Sequence, residues 1–251
     1  MAEASDIIAA LSEMQDEAQR LILLRFFKTG PGEYGEGDRF LGLRVPQTRE
    51  VVKRFRLSVP LVQIAVLLRS PWHEVRLCGF LLLVEEMKAA TPSKRIVPTE
   101  YADRREQIAR FYLEYARRAN NWDLVDLSAG YILGVWLLQP CANGAYPDRS
   151  ILDALAESTN LWEQRIAIVS TSALIRAGQY EDTLRIADKL LGHPHDLIHK
   201  AVGWMLREVG KKDIELLRRY LYDRYSRMPR TALRYAIERM DPLERQAWLS
   251  R

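Results

Sequence analysis

The fold follows from a pattern that is clearest at residues 120–138, NNWDLVDLSAGYILGVWLL. A polar turn comes first, then a charged residue, and then an apolar helix rich in small residues. Such a helix cannot bury its apolar face alone, so recurrence of the pattern predicts a stack of helical repeats. The pattern does recur, in SPWHEVRLCGFLLLVEEMK at 70–88, NLWEQRIAIVSTSALIRAGQ at 160–179, HPHDLIHKAVGWMLREVGKKD at 193–213 and RMPRTALRYAIERMDP at 227–242.

One charged residue occupies the same place in each repeat. The intervals between these residues are 50, 39, 35 and 30, loosely the period of HEAT-type helix pairs. Such pairs stack into a curved solenoid whose repeated positions line one concave surface. Four cations and one carboxylate there predict a basic cleft for a nucleic-acid backbone, with a chemical group at its centre. The five residues are Arg76, Asp126, Arg165, Lys200 and Arg230.

Apolar residues outside the repeats also recur with helical spacing, as Ile7, Leu11 and Met14 do. Glycines and prolines gather in a few short clusters, where we expect helices to end. No stretch shows the clear alternation of a strand. We therefore predict an all-α chain of roughly ten to fourteen helices, folded as a single domain over residues 1–251.

The composition is that of an ordinary globular chain. Of its 251 residues, 48% are apolar and 28% are charged, which excludes disordered, collagen-like and disulfide-rich classes. Acidic residues at the N-terminus and the lack of a long apolar run predict a cytoplasmic protein with no membrane partner. Cys78 and Cys141 match no metal or redox spacing and are expected to be reduced thiols.

The net charge of +4 is concentrated in the C-terminal third. Residues 161–251 contain 17 lysines and arginines against 12 aspartates and glutamates. A local excess of positive charge makes a polyanionic partner worth considering.

The stretch NNWDLVD places an aromatic ring and a carboxylate on one helix face. Asn120 or Asn121 can cap the helix, and Trp122 and Asp126 then stand four residues apart. Two interpretations are open from this motif. The pair forms a chemical site, or Trp122 is a core aromatic and Asp126 a solvated or capping residue.

Trp204, within AVGWMLREVG, is a second candidate aromatic. It falls on a neighbouring face of a later repeat, where the small residues Ala201 and Gly203 leave room beside it. A core position is the alternative interpretation of this residue.

With these motifs in view, the chain resembles the AlkD-type alkylpurine DNA glycosylases, a bacterial DNA-repair family with a HEAT-like fold. The resemblance runs through most of the chain. Its most specific parts are N-W-D-x-V-D and G-W-x-L-R-E. The segments that carry it are FFKTGPGEYGEGDRFLGLRVPQTR, SPWHEVR, NNWDLVD, LWEQRIAIVS and HDLIHKAVGWMLREVGKKD.

The resemblance implies roles for single residues. In the W-D-x-x-D motif, Asp126 corresponds to the catalytic carboxylate and Trp122 to a lesion-contacting aromatic. Trp204 corresponds to a second such aromatic, and Arg165 to a residue that binds DNA. We expect Arg165 to hold a phosphate, and from their places in the repeats we expect the same of Lys200, Arg230 and Arg76. An ion pair within its own helix is the alternative for Arg76.

Two further features are less tightly placed by the resemblance. The N-terminal aromatic of the family's site corresponds to Phe26 or Phe27, and the choice stays open. The loop at residues 140–147 looks like an insertion.

The chemistry of alkylated purines suits these residue types. An N3- or N7-alkylpurine is already cationic and leaves readily, so the enzyme mainly has to stabilise the charge that develops on the sugar. A carboxylate such as Asp126 can stabilise the oxocarbenium-like state and orient the attacking water. The resemblance implies excision of 3-methyladenine and 7-methylguanine from duplex DNA, without base flipping. It also implies a monomer that uses no cofactor and acts on nucleoid DNA in the bacterial cytoplasm.

Other readings of the sequence are also open. His193, His195 and His199 have spacing compatible with a metal, but turn or surface histidines are expected there, and no metal. The run GPGEYGEG at 30–37 lacks the ending of a phosphate loop and is expected to be a flexible loop. The alternative for the whole chain is a non-catalytic HEAT-repeat module that binds DNA or another protein.

Overall fold

The structure, a computed structural model, describes residues 1–92 and 99–250. Within these ranges the chain forms fifteen α-helices and two short 3-10 helices, and no strand. A single isolated bridge joins Arg39 to Trp72. The all-α prediction is confirmed. None of the helices in the described ranges is long and apolar enough to cross a membrane.

The helices have the following bounds. In the first half of the chain they are α1 (Ala4–Ser12), α2 (Glu17–Phe26), α3 (Val45–Phe55), α4 (Leu61–Leu68), α5 (His73–Ala89), α6 (Thr99–Glu114), a 3-10 helix (Ala116–Arg118) and α7 (Trp122–Asp126). In the second half they are α8 (Ala129–Trp136), α9 (Ser150–Ala156), α10 (Leu161–Arg176), α11 (Glu181–Leu190), α12 (Asp196–Gly210), α13 (Ile214–Arg224), a 3-10 helix (Tyr225–Arg227), α14 (Arg230–Ala236) and α15 (Pro242–Ser250).

The chain divides into two compact units. Unit 1 contains residues 1–132 and 140–145, and unit 2 contains residues 133–139 and 146–251. The expectation of a single domain over residues 1–251 stays a prediction.

Unit 2 is built from helix pairs. The repeat helices α10, α12 and α14 pack one against the next, and α9, α11 and α13 pack beside them. Close packing of α12 on α14 depends on Gly203, because a Cβ there would lie 2.4 Å from the carbonyl oxygen of Ala232. The helical-repeat prediction is therefore confirmed in this unit.

Unit 1 is organised around α5. Thirteen of its seventeen residues are buried, and α1, α3, α4 and α6 pack against it. Arginines from later in the chain cap the ends of two helices: Arg118 donates to the carbonyl oxygens of Leu68 and Arg69, and Arg105 to that of Ala90. Because α5 is enclosed from its first turn, the charged residues of that turn must find partners inside the protein.

The repeat at residues 120–138 differs from the sequence prediction. Instead of one helix it forms two, α7 and α8, separated at Leu127 and Ser128. The Ser128 hydroxyl donates to the carbonyl oxygen of Leu124 at 2.5 Å and pairs with the Tyr112 hydroxyl at 3.1 Å. Side-chain bonding of this kind competes with the helical ladder. This division is one reason why the count exceeds the predicted ten to fourteen helices.

Candidate functional site

The short helix α7 carries two of the predicted site residues, Trp122 at its first position and Asp126 at its last. The fully buried Asn121 caps it, since its side-chain oxygen accepts from the Trp122 backbone N–H at 2.9 Å. Leu124, on the opposite face of the helix, and Val125 are also fully buried and pack the helix against the interior. Trp122 and Asp126 are both half-buried, and each therefore retains surface that a ligand can contact.

A cavity of about 390 Å³ lies beside α7 within unit 1. Its wall is mainly aromatic and aliphatic, with carboxylates near Trp122, a composition typical of ligand pockets with a few placed polar groups. Trp122 and Asp126 both line it. The other lining residues are Leu23, Phe26, Phe27, Phe40, Leu43, Arg44, Val45, His73, Glu74, Leu77, Asp123 and Leu127.

Two phenylalanines from the end of α2 contact the Trp122 ring. Phe27 stacks on it with ring centroids 5.4 Å apart, and Phe26 meets it edge-on at 5.8 Å. Phe27 is 6% exposed, whereas Phe26 is 60% exposed. Both candidates for the N-terminal aromatic therefore lie at Trp122 and line the cavity, and Phe26 offers far more exposed surface to a ligand.

Both imidazole nitrogens of His73, at the start of α5, face buried carboxylates. Nδ1 lies 2.9 Å from Asp38 Oδ2, and Nε2 lies 2.8 Å from Asp123 Oδ2. A neutral imidazole donates from one nitrogen only, so this geometry fits the imidazolium. Burial alone would lower the pKa of His73, but the charges and hydrogen bonds of Asp123 and Asp38 outweigh it and raise the pKa to about 9.

Arg76 completes this buried charge cluster. Its Nη2 donates to Asp38 Oδ1 at 2.7 Å, and its Nη1 donates to the Ser70 carbonyl oxygen at 3.0 Å. Burial tends to raise the pKa of Asp38, but the His73 hydrogen bond and the Arg76 charge lower it overall. We name the four residues Arg76, Asp38, His73 and Asp123 the buried tetrad.

The prediction that Arg76 binds a DNA phosphate is wrong. The residue is only 2% exposed, and its guanidinium is committed to Asp38 and Ser70. The repeat register placed Arg76 correctly on a helix, but the first three turns of that helix are buried, so the side chain finds its partners inside the protein.

Glu74 holds the loop that borders the cavity. Its buried carboxylate accepts hydrogen bonds from the backbone N–H groups of residues 41, 42 and 43, at 2.9, 2.9 and 3.1 Å. Gly42 takes a positive φ of 91°, and a Cβ there would lie 2.0 Å from the Asp16 carbonyl oxygen. The loop is thus fixed from the interior by one side chain.

Sequence reasoning missed Asp38, His73, Glu74 and Asp123. A usable signal was present in W-H-E-V-R, where adjacent charged residues open an otherwise apolar helix. Charged groups at the start of a buried helix need partners, but the sequence does not say that these lie near residues 38 and 123.

The predicted cations of unit 2 lie on its three repeat helices. Arg165, on α10, is 4% exposed, and its Nη1 donates to the Leu197 carbonyl oxygen at 2.5 Å. Lys200, on α12, is half-buried and forms an ion pair with Asp196 at 2.8 Å. Arg230 is exposed at the start of α14. Arg230 therefore offers a phosphate the most surface of the three.

Trp204 is half-buried on α12. The expectation that Gly203 leaves room beside it is wrong, because α14 occupies that space, with Ala232 and Tyr235 against the glycine. Ala201 is fully buried. The role of Trp204 itself stays a prediction.

The three clustered histidines make local contacts around the turn that precedes α12, where His195 is the helix cap. His193 Nδ1 accepts from the His195 backbone N–H at 3.0 Å, and His195 Nδ1 accepts from that of Leu197 at 3.1 Å. His199 Nε2 lies against the His193 carbonyl oxygen. Burial lowers the pKa of His193 and His195. The turn interpretation accounts for these contacts.

The described part of the chain defines an all-α helical-repeat protein with an aromatic, acid-bordered cavity in unit 1. Residues 7–240 match the family described as DNA alkylation repair enzyme. The chain belongs to that family, and the resemblance inferred from the sequence motifs is confirmed at this level. The family places the protein in the repair of alkylated DNA.

A solved structure supports the fold assignment. The chain is similar to a predicted DNA alkylation repair enzyme from Enterococcus faecalis, with a TM-score of 0.63 and 15% sequence identity. The match covers 91% of this chain and 97% of that one. At this identity the likeness shows a shared fold. No curated protein matches the chain.

Proposed function

We propose that the protein is a monofunctional DNA glycosylase, which hydrolyses the N-glycosidic bond of cationic N3- and N7-alkylpurines in duplex DNA. The observation that carries the proposal is the placement of Trp122 and Asp126 on one short helix, both lining one aromatic cavity. Its substrates would include 3-methyladenine and 7-methylguanine. The protein would act as a single-domain monomer in the cytoplasm, without a cofactor and without flipping the base.

Asp126 would be the catalytic carboxylate. The alkylated base carries a positive charge and leaves with its electron pair, while positive charge develops on the deoxyribose. A carboxylate close to the sugar stabilises that charge and orients the water that attacks the anomeric carbon. One well-placed group of this kind typically contributes about 3 kcal/mol to transition-state stabilisation.

Trp122 would contact the cationic lesion or its sugar. The face of an aromatic ring attracts a cation with roughly 0.5 to 2 kcal/mol. Phe27 holds the Trp122 ring by stacking on it, and the exposed Phe26 ring offers further aromatic surface next to it. A neutral purine lacks the charge and gains less from this arrangement, which favours damaged bases over normal ones.

Unit 2 would supply the remaining contacts. We propose Trp204 as the second lesion-contacting aromatic, and Lys200 and Arg230 as ligands of DNA phosphates. Arg165 would bind a phosphate only if its buried side chain left the Leu197 carbonyl oxygen. Guanidinium and ammonium groups form charge-assisted hydrogen bonds with phosphate oxygens, which position the duplex without reading its sequence.

Replacement of Asp126 by asparagine tests the proposal. Asp126→Asn keeps the side-chain shape but removes the charge, so we expect single-turnover release of 7-methylguanine from methylated duplex DNA to fall about a hundred-fold or more. DNA affinity should change little, because few ground-state contacts are lost. The matched control is Asp103→Asn, at an exposed position of α6.

The outcomes separate the functional classes. Release by the wild type and the control, with loss in Asp126→Asn, supports the glycosylase and its carboxylate. Equal release by Asp126→Asn contradicts the assignment of Asp126. No release by the wild type, despite tight salt-dependent DNA binding, would indicate a non-catalytic DNA-binding module.

A further inference from the structure

The His73 ring is the contact point of three segments that are distant in the sequence. Its nitrogens reach Asp38 in the loop before α3 and Asp123 in α7. Its faces pack against Phe40, with centroids 4.5 Å apart and 21° between the planes, and against Phe27 at 4.9 Å. At 2% exposure, the ring is enclosed by these four residues.

Two paths lead from His73 to the proposed site. Along one, Phe27 touches His73 with its ring and stacks on Trp122. Along the other, Asp123 binds His73 and is the residue next to Trp122 in α7. A helix of five residues is too short to keep its orientation without tertiary contacts, so α7 depends on such anchors.

Asp123 depends strongly on His73. The aspartate is 5% exposed, and its Oδ1 has no hydrogen-bond partner within residues 1–92 and 99–250. His73 Nε2 donates to the other oxygen. Removal of this donor would leave a buried carboxylate without compensation, which is costly enough to displace the helix that carries it.

We infer that His73 is a positioning residue, which holds α7 so that Trp122 and Asp126 keep their places at the cavity. It acts through Asp123 and Phe27 and does not itself touch the substrate. The catalytic consequence rests on the proposed glycosylase function, whereas the positional consequence does not.

The protonation state of His73 makes the inference measurable. Its pKa of about 9 lies above the ordinary 6.5, because two carboxylates outweigh burial. When pH rises through 9, the ring loses a proton and can donate to only one carboxylate. The charged groups on the surrounding segments are Lys28, Asp38, Arg39, Glu74, Arg76, Arg118, Asp123 and Asp126.

Nuclear magnetic resonance of the full chain tests the protonation state of His73 directly. The chain has four histidines, and in a ¹⁵N-histidine sample His73 should keep both ring N–H protons at pH 8 and titrate with a midpoint near 9. In Asp123→Asn and in Asp38→Asn the midpoint should fall by one pH unit or more, because each loses a negative neighbour. Asp103→Asn should leave it in place. A wild-type midpoint near 6.5 would overturn the inference.

The Trp122 indole N–H resonance reports whether His73 acts on the site. Assigned by Trp122→Phe, it should shift with the same midpoint as His73, near pH 9. The Trp204 resonance should not follow that midpoint. If Trp122 does not follow the titration of His73, the positioning role is contradicted, whatever the activity of the protein.

The pH dependence of excision completes the test. Wild-type single-turnover release should decline above pH 9, and the decline should begin at least one pH unit lower in Asp123→Asn. His73→Gln should lose tenfold or more in rate, with DNA affinity changed less than threefold. If His73→Gln fails to fold, Asp123→Asn and Asp38→Asn keep the imidazole, and their pH profiles test the role of His73 instead. An unshifted profile at the wild-type rate in Asp123→Asn would overturn the inference.

Failure of the two proposals can be told apart. If the wild type releases no base, the proposed function fails, and the two resonance titrations still decide the role of His73. If release depends on Asp126 but the Trp122 resonance does not shift with the titration of His73, the proposed function is supported and the positioning role is contradicted.

Discussion

The two neighbouring phenylalanines at the end of α2 differ in burial, although they are adjacent in the sequence. Phe27 points inward, between Phe40, His73 and Trp122. Phe26 points outward and keeps most of its ring exposed. Chemically identical side chains therefore have different consequences: Phe27 contributes packing, and Phe26 contributes surface beside the cavity.

Alanine substitutions should separate these two contributions. Phe26→Ala should leave the free energy of unfolding within about 0.5 kcal/mol of wild type, since its ring is exposed. It should lower excision about two- to thirty-fold, the range for loss of a cation–π contact of roughly 0.5 to 2 kcal/mol. Phe27→Ala should cost about 3 to 5 kcal/mol of stability. Urea unfolding and single-turnover release measure both, and an equal stability loss in the two variants would contradict the distinction.

The buried tetrad is the other residue-scale feature of the site. Two carboxylates and two cations balance each other in the interior of unit 1. Well-packed apolar residues are often as stabilising as buried ion pairs, so such a cluster is weak evidence for stability alone. In this protein it fastens the helix that carries the proposed catalytic carboxylate, which gives a reason for its presence.

At the scale of elements, the glycine at the contact of α12 with α14 controls how closely the two helices pack. A Cβ at Gly203 would approach the Ala232 carbonyl oxygen and lie 2.5 Å from the Tyr235 Cβ. Backbone atoms cannot move aside as a flexible side chain can. The helices would have to separate, and the packing of unit 2 would loosen.

Gly203→Ala should therefore destabilise the protein by about 1 to 3 kcal/mol, the usual cost of overpacking. Alanine is the better helix former by about 1 kcal/mol, so a loss of stability would show that packing dominates propensity. Gly192→Ala is the control, because a Cβ there meets no atom within 4 Å. Denaturant midpoints compare the two, and a stabilised Gly203→Ala would contradict the packing account.

At the scale of the whole molecule, the formal charge overstates the cations available to DNA. Several arginines of unit 2 already bind carboxylates, among them Arg185 with Asp153 and Arg218 with Glu244. Those cations are partly neutralised by their partners. Of the 17 basic residues in the C-terminal third, fewer are therefore candidate DNA contacts than the count alone suggests.

Salt dependence of DNA binding should reveal which cations belong to that set. Arg230→Gln should reduce the slope of log affinity against log salt concentration by about 0.9, the contribution of one phosphate contact. Arg185→Gln should leave the slope unchanged, because that arginine is held by Asp153 and Asp182. Fluorescence anisotropy at several salt concentrations measures both. A larger effect of Arg185→Gln would refute this selection of phosphate ligands.

Much of the architecture was predictable from local patterns. The apolar periodicity predicted helices, and the recurring turn, charge and apolar helix predicted repeats, both of which the structure contains. The sequence predicts Asn120 or Asn121 as the cap of the helix that begins at Trp122, and Asn121 is the cap in the structure. These features depend on residues within one or two helical turns of each other, a range over which spacing alone is informative.

The roles assigned to charged residues were less predictable. Arg76 shared its repeat position with Arg165, Lys200 and Arg230, yet it is buried against Asp38, while Arg230 is exposed. The same position in a repeat does not imply the same environment, because burial depends on which helices surround it. The separation of α7 from α8 likewise depends on Ser128 meeting Tyr112 from another helix.

Spacing along the chain thus established the helices, their repetition and the pairing of Trp122 with Asp126, because each of these involves neighbours on a single helix. Three-dimensional packing established the rest. It brings the side chains of residues 38, 73 and 123 into contact, and it buries Phe27 and Arg76. The physical reason is that a buried charge or ring is defined by partners far along the chain. Helical periodicity carries no information about which distant segment supplies them.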